Sequence, residues 1–258
     1  MRVGKGSALE ALIGSTDRTR LVPYIERMMV EHPGTRVYEV DDSPRPPRSP
    51  SPDMHFHPST DCTACPRLLF FQRSPDHAAM LKDDVTPKLQ TGTAMHCMLQ
   101  AICEEMGRLD GYPGFVGNEV RLVDDDVNMG GYADTIVRMP GADRDTIVDW
   151  KTANPQVMRS MHGPKREHVL QLNCYMHMYG RASDARLVYI DKGDCTLREY
   201  DVPVVDMAPT MVMWSSVRDA LSTGDPSGLV PQCSPGSSRC KKCPAGSFCH
   251  RSCGDVVI

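Results

Sequence analysis

The spacing of apolar side chains changes period several times along this chain, and each change marks an element. Between residues 8 and 32 apolar positions (Leu9, Leu12, Ile13, Leu21, Ile25, Met28, Met29) recur at mixed three- and four-residue intervals, which predicts helix, with Pro23 near a helix start. Pro66 to Gln72 reads as the start of another helix. Gly92 to Met106 is a clearer one, with Met95, Leu99, Ile102 and Met106 on one face. The period then drops to two. Glu119 to Val123, Gly131 to Met139 and Asp145 to Lys151 read as three strands, the turn MPGAD (Met139 to Asp143) joining the last two. Helical spacing returns at Glu167 to Tyr179. Two strands, Ala185 to Asp191 and Thr196 to Val202, follow around a KGD turn, and Met207 to Leu221 is a last helix. The order predicts an α/β domain with a mixed sheet flanked by helices.

Composition adds boundaries. The stretch DDSPRPPRSPSPD (Asp41 to Asp53) is rich in proline, serine and charge and reads as a linker. The expected organisation is therefore an N-terminal helical segment with its linker over 1–53 and a single domain over 54–258. With 258 residues, 40% hydrophobic and 24% charged, the chain resembles an ordinary globular protein. No apolar run approaches the roughly 20 residues that span a bilayer. The N-terminus lacks the apolar core of a secretory signal, so an intracellular location is expected. A net charge of -4 gives no overall basic signature. That counts against a protein that coats nucleic acid, but not against an enzyme that binds it in a local groove.

The candidate chemistry begins at DWK, Asp149-Trp150-Lys151. An isolated D-x-K is ordinarily a surface ion pair, worth at most about 1 kcal/mol. Here it ends a strand whose expected hairpin partner carries Asp134. Pairing would set the two carboxylates side by side, with Lys151 on the same face as Asp149. Two carboxylates and an ammonium at a sheet edge suit a hard divalent cation and a metal-bound water. His96, on the preceding helix, is a further candidate ligand. Gln171 and Tyr175 stand at i and i+4, so one helix face presents both.

Taken in order, Gly92-x3-His96, Gly131-Tyr-Ala-Asp134, Asp149-Trp-Lys151 and Gln171-Leu-Asn-Cys-Tyr175 resemble the motif series of the PD-(D/E)XK nuclease superfamily, in particular its RecB-type exonuclease branch. Glu119 matches the acid often found on the first core strand. Ala133 stands where a proline often precedes the first acid. The resemblance spans residues 60 to 250 and implies a restriction-endonuclease-like core. It implies Mg2+ or Mn2+ held by His96, Asp134, Asp149 and the Trp150 carbonyl. Lys151 would handle the attacking water, and Gln171 and Tyr175 would contact the DNA backbone or orient that lysine. Trp150 is expected to point its side chain into the core. Arg67, Glu119, Lys165, Arg166 and His168 are candidate DNA contacts.

Eleven cysteines are many for a reducing compartment, where clustering points to metal more often than to disulfides. Cys97, Cys103, Cys174 and Cys195 are scattered through helix- or strand-like sequence and read as small buried hydrophobes. Cys62 and Cys65 form one cluster, and Cys233, Cys240, Cys243, Cys249 and Cys253 form another. Cys65 in a C-P-R context, followed far downstream by Cys240-x2-Cys243-x5-Cys249, resembles the RecB-type nucleases that carry a [4Fe-4S] cluster, including CRISPR-associated exonucleases that trim spacer precursors. In those enzymes the cluster joins the two ends of the nuclease domain. By spacing alone, Cys62-x2-Cys65 with Cys240-x2-Cys243 would also suit zinc. Cys62, Cys233 and Cys253 are spare, and an exchange of ligands stays open.

The resulting expectation is a metal-dependent exonuclease acting on single-stranded DNA or single-stranded ends. Protein partners in recombination or spacer acquisition are open, as is oligomeric state. The alternative is a non-catalytic DNA-binding or adaptor module of the same fold with zinc in place of the cluster.

Overall fold

The computed structural model describes residues 19–32, 55–78, 87–180, 182–246 and 249–252. The linker expected over 41–53, the first part of the helix expected over 8–32, and Cys253 lie outside the described residues. Two compact units divide the chain. The first takes Met1–Asp42, Pro87–Leu122 and Tyr132–Pro203; the second takes Ser43–Thr86, Val123–Gly131 and Val204–Ile258.

In the first unit, helix α1 (Val22–Glu31) begins with Pro23 in its first turn, where a missing N–H costs nothing. Numbered in chain order, α2 (Pro58–Asp61), α3 (Pro66–Arg73) and α4 (Pro75–Ala78) belong to the second unit, and α5 (Pro87–Met106) returns to the first. Strands β1 (Gly114–Asp124), β2 (Met129–Arg138) and β3 (Asp145–Ala153) follow, then α6 (Pro155–Ser160), α7 (Arg166–Tyr179), β4 (Ala182–Asp191) and β5 (Leu197–Asp201). Helices α8 (Ala208–Thr223), α9 (Ser238–Lys242) and α10 (Cys249–Ser252) complete the second unit.

The sheet order is β1-β2-β3-β4-β5. β2 and β3 are antiparallel, β3 and β4 parallel, β4 and β5 antiparallel. The parallel pair needs a crossover, and α6 and α7 supply it. β3 reads Thr-Ile-Val-Asp-Trp without polar alternation because both its faces are covered. On one face Val148 and Trp150 join Leu99, Ile102 and Met106 of α5, and Leu21, Ile25 and Met28 of α1, in a single buried cluster. Trp150 is fully buried, and a side chain of that size removes about 200 Å2 from water, an upper bound of roughly 5 kcal/mol. Helix α7 packs against β3 and β4. Most pattern-based elements stand close to their expected bounds, though β1 and α5 each begin five residues earlier than expected, while α2, α4, α6, α9 and α10 were not foreseen. Each is six residues or shorter, too little chain to show a helical period.

The second unit is built on aromatic packing. Phe56 and Trp214 stack with centroids 5.1 Å apart and planes 2° from parallel, and the Arg73 guanidinium lies 4.8 Å from the Phe56 centroid. Arg73 also pairs with Asp61, both side chains being nearly closed to solvent. α3 packs on α8.

One expectation about the scattered cysteines is corrected. Cys103 and Cys174 are buried and Cys97 is half-buried, but Cys195 is exposed. It falls in the turn between β4 and β5 with φ +62°, where the chain reverses and nothing covers it.

Candidate active site

Continuing the β2–β3 register one step beyond Thr135↔Val148 sets Asp134 opposite Asp149. The Trp150 backbone N–H donates to Asp134 Oδ2 at 2.9 Å, which ties the first acid to the strand bearing the second. His96 Nδ1 lies 3.5 Å from the same Asp134 oxygen. Strand alternation places Asp149 and Lys151 on the face opposite Trp150. The Lys151 ammonium straddles the Asp149 carboxylate, 2.9 Å from Oδ1 and 2.7 Å from Oδ2. Oδ2 is buried with this ion pair but without an aligned hydrogen-bond donor.

α7 brings the remaining groups. Gln171 Nε2 donates to Asp149 Oδ1 at 2.9 Å and approaches Tyr175 Oη at 3.3 Å. His168 is three residues before Gln171 and so shares that face. Its Nδ1 is 2.7 Å from Tyr189 Oη, and Tyr189 is the cross-strand partner of Lys151. The Tyr189 oxygen already accepts the Lys165 backbone N–H at 3.1 Å. The Tyr189 hydroxyl donates to His168 Nδ1 in the tautomer with its proton on Nε2, and accepts from Nδ1–H in the other.

Electrostatics follow from this crowding. Burial pushes the Asp149 carboxyl up to about 6; the Lys151 charge pulls against that and the Asp134 charge adds to it. Burial lowers the His168 pKa to about 3, helped by the Lys151 and Lys165 charges, so this imidazole is neutral at physiological pH. Burial raises Tyr189 to about 12, which keeps it a donor. Tyr175 is likewise raised, by burial and then by the Asp149 charge.

Gln100, one helical turn after His96 on α5, was not singled out from the sequence. Its Nε2 donates to Glu119 Oε1 and to the Asp134 carbonyl, both at 2.9 Å. Its i+4 relation to His96 was the available signal. Glu119 itself has φ +48°, a local irregularity in β1 that turns its side chain toward Gln100. Asn118, Thr135 and Trp150 form a further chain: Trp150 Nε1 donates to Thr135 Oγ1, and Thr135 to Asn118 Oδ1, each at 2.9 Å. Gly92 stands where an added Cβ would come within 3.3 Å of Thr152 Oγ1, so its lack of a side chain lets α5 approach the end of β3.

Lys165 and Arg166, at the start of α7, are exposed. Arg67 differs: it is 4% exposed, belongs to the second unit, and its Nε donates to the Leu229 carbonyl at 2.6 Å. Such burial leaves little of it for a phosphate.

The second unit holds the cysteine group. Cys65, Cys233, Cys240, Cys243, Cys249 and His250 line one cavity of about 550 Å3. Among the described cysteines none is in a disulfide. The Gln232 backbone N–H points to Cys65 Sγ at 3.5 Å, joining positions 167 residues apart. A Cβ on Gly246 would fall 2.0 Å from the Cys240 carbonyl oxygen, so only glycine lets the chain pass this close to Cys240. Cys62 is buried but does not line this cavity.

A family model described as the PD-(D/E)XK nuclease superfamily matches residues 110–250. No curated protein matches the chain. Among solved structures, that of a protein designated SSO0001 is similar with a TM-score of 0.50 and 17% identity, covering 89% of this chain and 95% of the other. An alkaline exonuclease (LHK-Exo) from Laribacter hongkongensis gives a TM-score of 0.46 at 15% identity, covering 66% of this chain and 89% of the other. The same exonuclease in complex with dAMP gives 0.46 at 18% identity, with the same coverage.

Proposed function

The chain belongs to the PD-(D/E)XK nuclease superfamily, with its restriction-endonuclease-like mixed sheet, and from that premise we propose that it is a metal-dependent exonuclease acting on single-stranded DNA ends. The observation that carries the reading is the convergence on Asp149: Lys151 and Gln171 on its carboxylate, and Trp150 N–H on neighbouring Asp134. Two carboxylates packed this closely, one buried and hard to ionise, form a donor set that a hard divalent cation would complete. His96, Asp134, Asp149 and the Trp150 carbonyl are the residues that would hold Mg2+ or Mn2+. When bound, such an ion polarises the scissile phosphate and acidifies its water.

The chain's own residues supply the rest. Lys151 Nζ positions the attacking water and takes part in its deprotonation. Gln171 fixes Asp149 and, through its contact with Tyr175, holds the α7 face against the site. Lys165 and Arg166 offer exposed cationic charge for the DNA backbone. Glu119, tied to Gln100, supports the helix that carries His96.

In the second unit we assign a [4Fe-4S] cluster to Cys65, Cys240, Cys243 and Cys249. Four thiolates are the ordinary ligation of such clusters, and all four cysteines line the cavity. Its part is structural. Anaerobically purified protein is expected to be brown, and a colourless protein with stoichiometric zinc would overturn the cluster.

The test of function is Mn2+-dependent degradation of labelled single-stranded DNA blocked at one end or the other. Loss of mononucleotides from one unblocked end supports the reading. DNA binding without cleavage under any divalent cation would instead make the chain a binding module.

A further inference from the structure

The cysteine-lined cavity has more potential ligands than a four-iron cluster uses. Cys233, Cys240 and His250 each present a ligand atom, and these atoms lie within 4.8 Å of one another. Cys240 and His250 are each 4% exposed. Cys65 lines the same cavity, and the amide that points to its sulfur belongs to Gln232, next to Cys233.

These separations suit one ion better than a cluster. In a tetrahedral site, bonds of about 2.3 Å to sulfur and 2.0–2.1 Å to nitrogen put neighbouring ligand atoms about 3.5–3.8 Å apart. The three atoms here need to draw in by only about 1 Å to reach that. Terminal thiolates of a cubane each bind a different iron and so stand further apart than ligands of a single ion.

We propose that Cys65, Cys233, Cys240 and His250 form a second, mononuclear ligand set in this cavity, which takes one Zn2+ when the iron–sulfur cluster is not assembled. The proposal rests on the reading of the cavity as a metal centre. It shares Cys65 and Cys240 with the cluster and replaces Cys243 and Cys249 by Cys233 and His250. Occupation by zinc and by the cluster are mutually exclusive.

The test uses the full chain, stripped of metal by a chelator under reductant and titrated with Zn2+, and with Co2+ as a spectroscopic probe. The expected result is one tightly bound ion per chain and Co2+ bands of a tetrahedral site with thiolate charge transfer. Cys233→Ser and His250→Gln should each lower Zn2+ affinity at least tenfold while still assembling a cluster from iron and sulfide. Cys249→Ser should block the cluster and leave Zn2+ affinity within about twofold. Far-UV circular dichroism checks that each variant keeps its fold. The inference is overturned if Cys249→Ser loses the Co2+ bands while Cys233→Ser keeps them, or if Cys233→Ser and His250→Gln bind Zn2+ as the unaltered chain does. Failure of the unaltered chain to assemble any cluster would remove the iron–sulfur reading and leave the zinc result standing.

Discussion

Trp150 donates its backbone N–H to the Oδ2 of Asp134, 2.9 Å away on the neighbouring strand, while its indole is buried in the core on the opposite face from Asp149 and Lys151. One residue thus couples the packing of α1 and α5 to the geometry of the two acids. A site built on a packed strand is held by the core beneath it.

Removing the ammonium is the most direct test of the chemistry. Lys151→Ala should lower cleavage by at least 100-fold, the scale of a lost proton-transfer or positioning group, with DNA binding within about threefold. Single-turnover cleavage and filter binding on the same substrate read the two quantities. Unchanged cleavage with added Mn2+ would take Lys151 out of the reaction.

The raised Asp149 pKa makes a signed prediction for the metal-free protein. The folded state holds this proton up to about pH 6, whereas an unfolded Asp releases it near 3.8. Between those values the native state binds more protons, so this group's contribution to stability is full below about pH 4 and is lost as pH rises through about 6. The loss is on the order of 3 kcal/mol. Asp149→Asn should flatten that part of the urea-unfolding profile against pH. A wild-type profile that rises over the same window would contradict the assignment.

Gln171 donates to a buried carboxylate, a contact of the stronger, charge-assisted kind. Gln171→Ala should reduce kcat by roughly 10- to 100-fold, corresponding to about 1.5–3 kcal/mol, with a smaller effect from Tyr175→Phe. A Gln171→Ala enzyme with full kcat and a raised KM would instead place Gln171 on the DNA.

In the second unit, Arg73 pairs with Asp61 and lies over Phe56. Arg73→Met leaves the Asp61 charge buried, and should cost about 3–5 kcal/mol. The double variant Arg73→Met/Asp61→Asn should recover part of it. Urea midpoints of the single and double variants measure the coupling.

Cys243→Ser should lower the melting temperature of protein purified under cluster-preserving conditions and weaken cleavage, since the proposed cluster, bridging Cys65 to the C-terminal cysteines, would close a loop of most of the chain. A fully stable variant would remove the structural role assigned to the cluster.

By itself the sequence determined the longer elements, because apolar spacing follows strand and helix geometry directly: β3 and α7 fall close to where the pattern set them. It also determined the candidate acids, since Asp134 and Asp149 sit on strands whose turn implied a hairpin. Only the tertiary structure decided which groups touch. Gln100 reaches Glu119 and the Asp134 carbonyl, Tyr189 stands beside Lys151, and Arg67 turns inward to Leu229 rather than outward. Cys233 and His250 likewise meet Cys240 only through folding. The division has a physical cause. Periodicity is a property of neighbours along the chain, whereas hydrogen bonding, burial and ligand distance depend on residues that are remote in sequence until the sheet register and the turns bring them together.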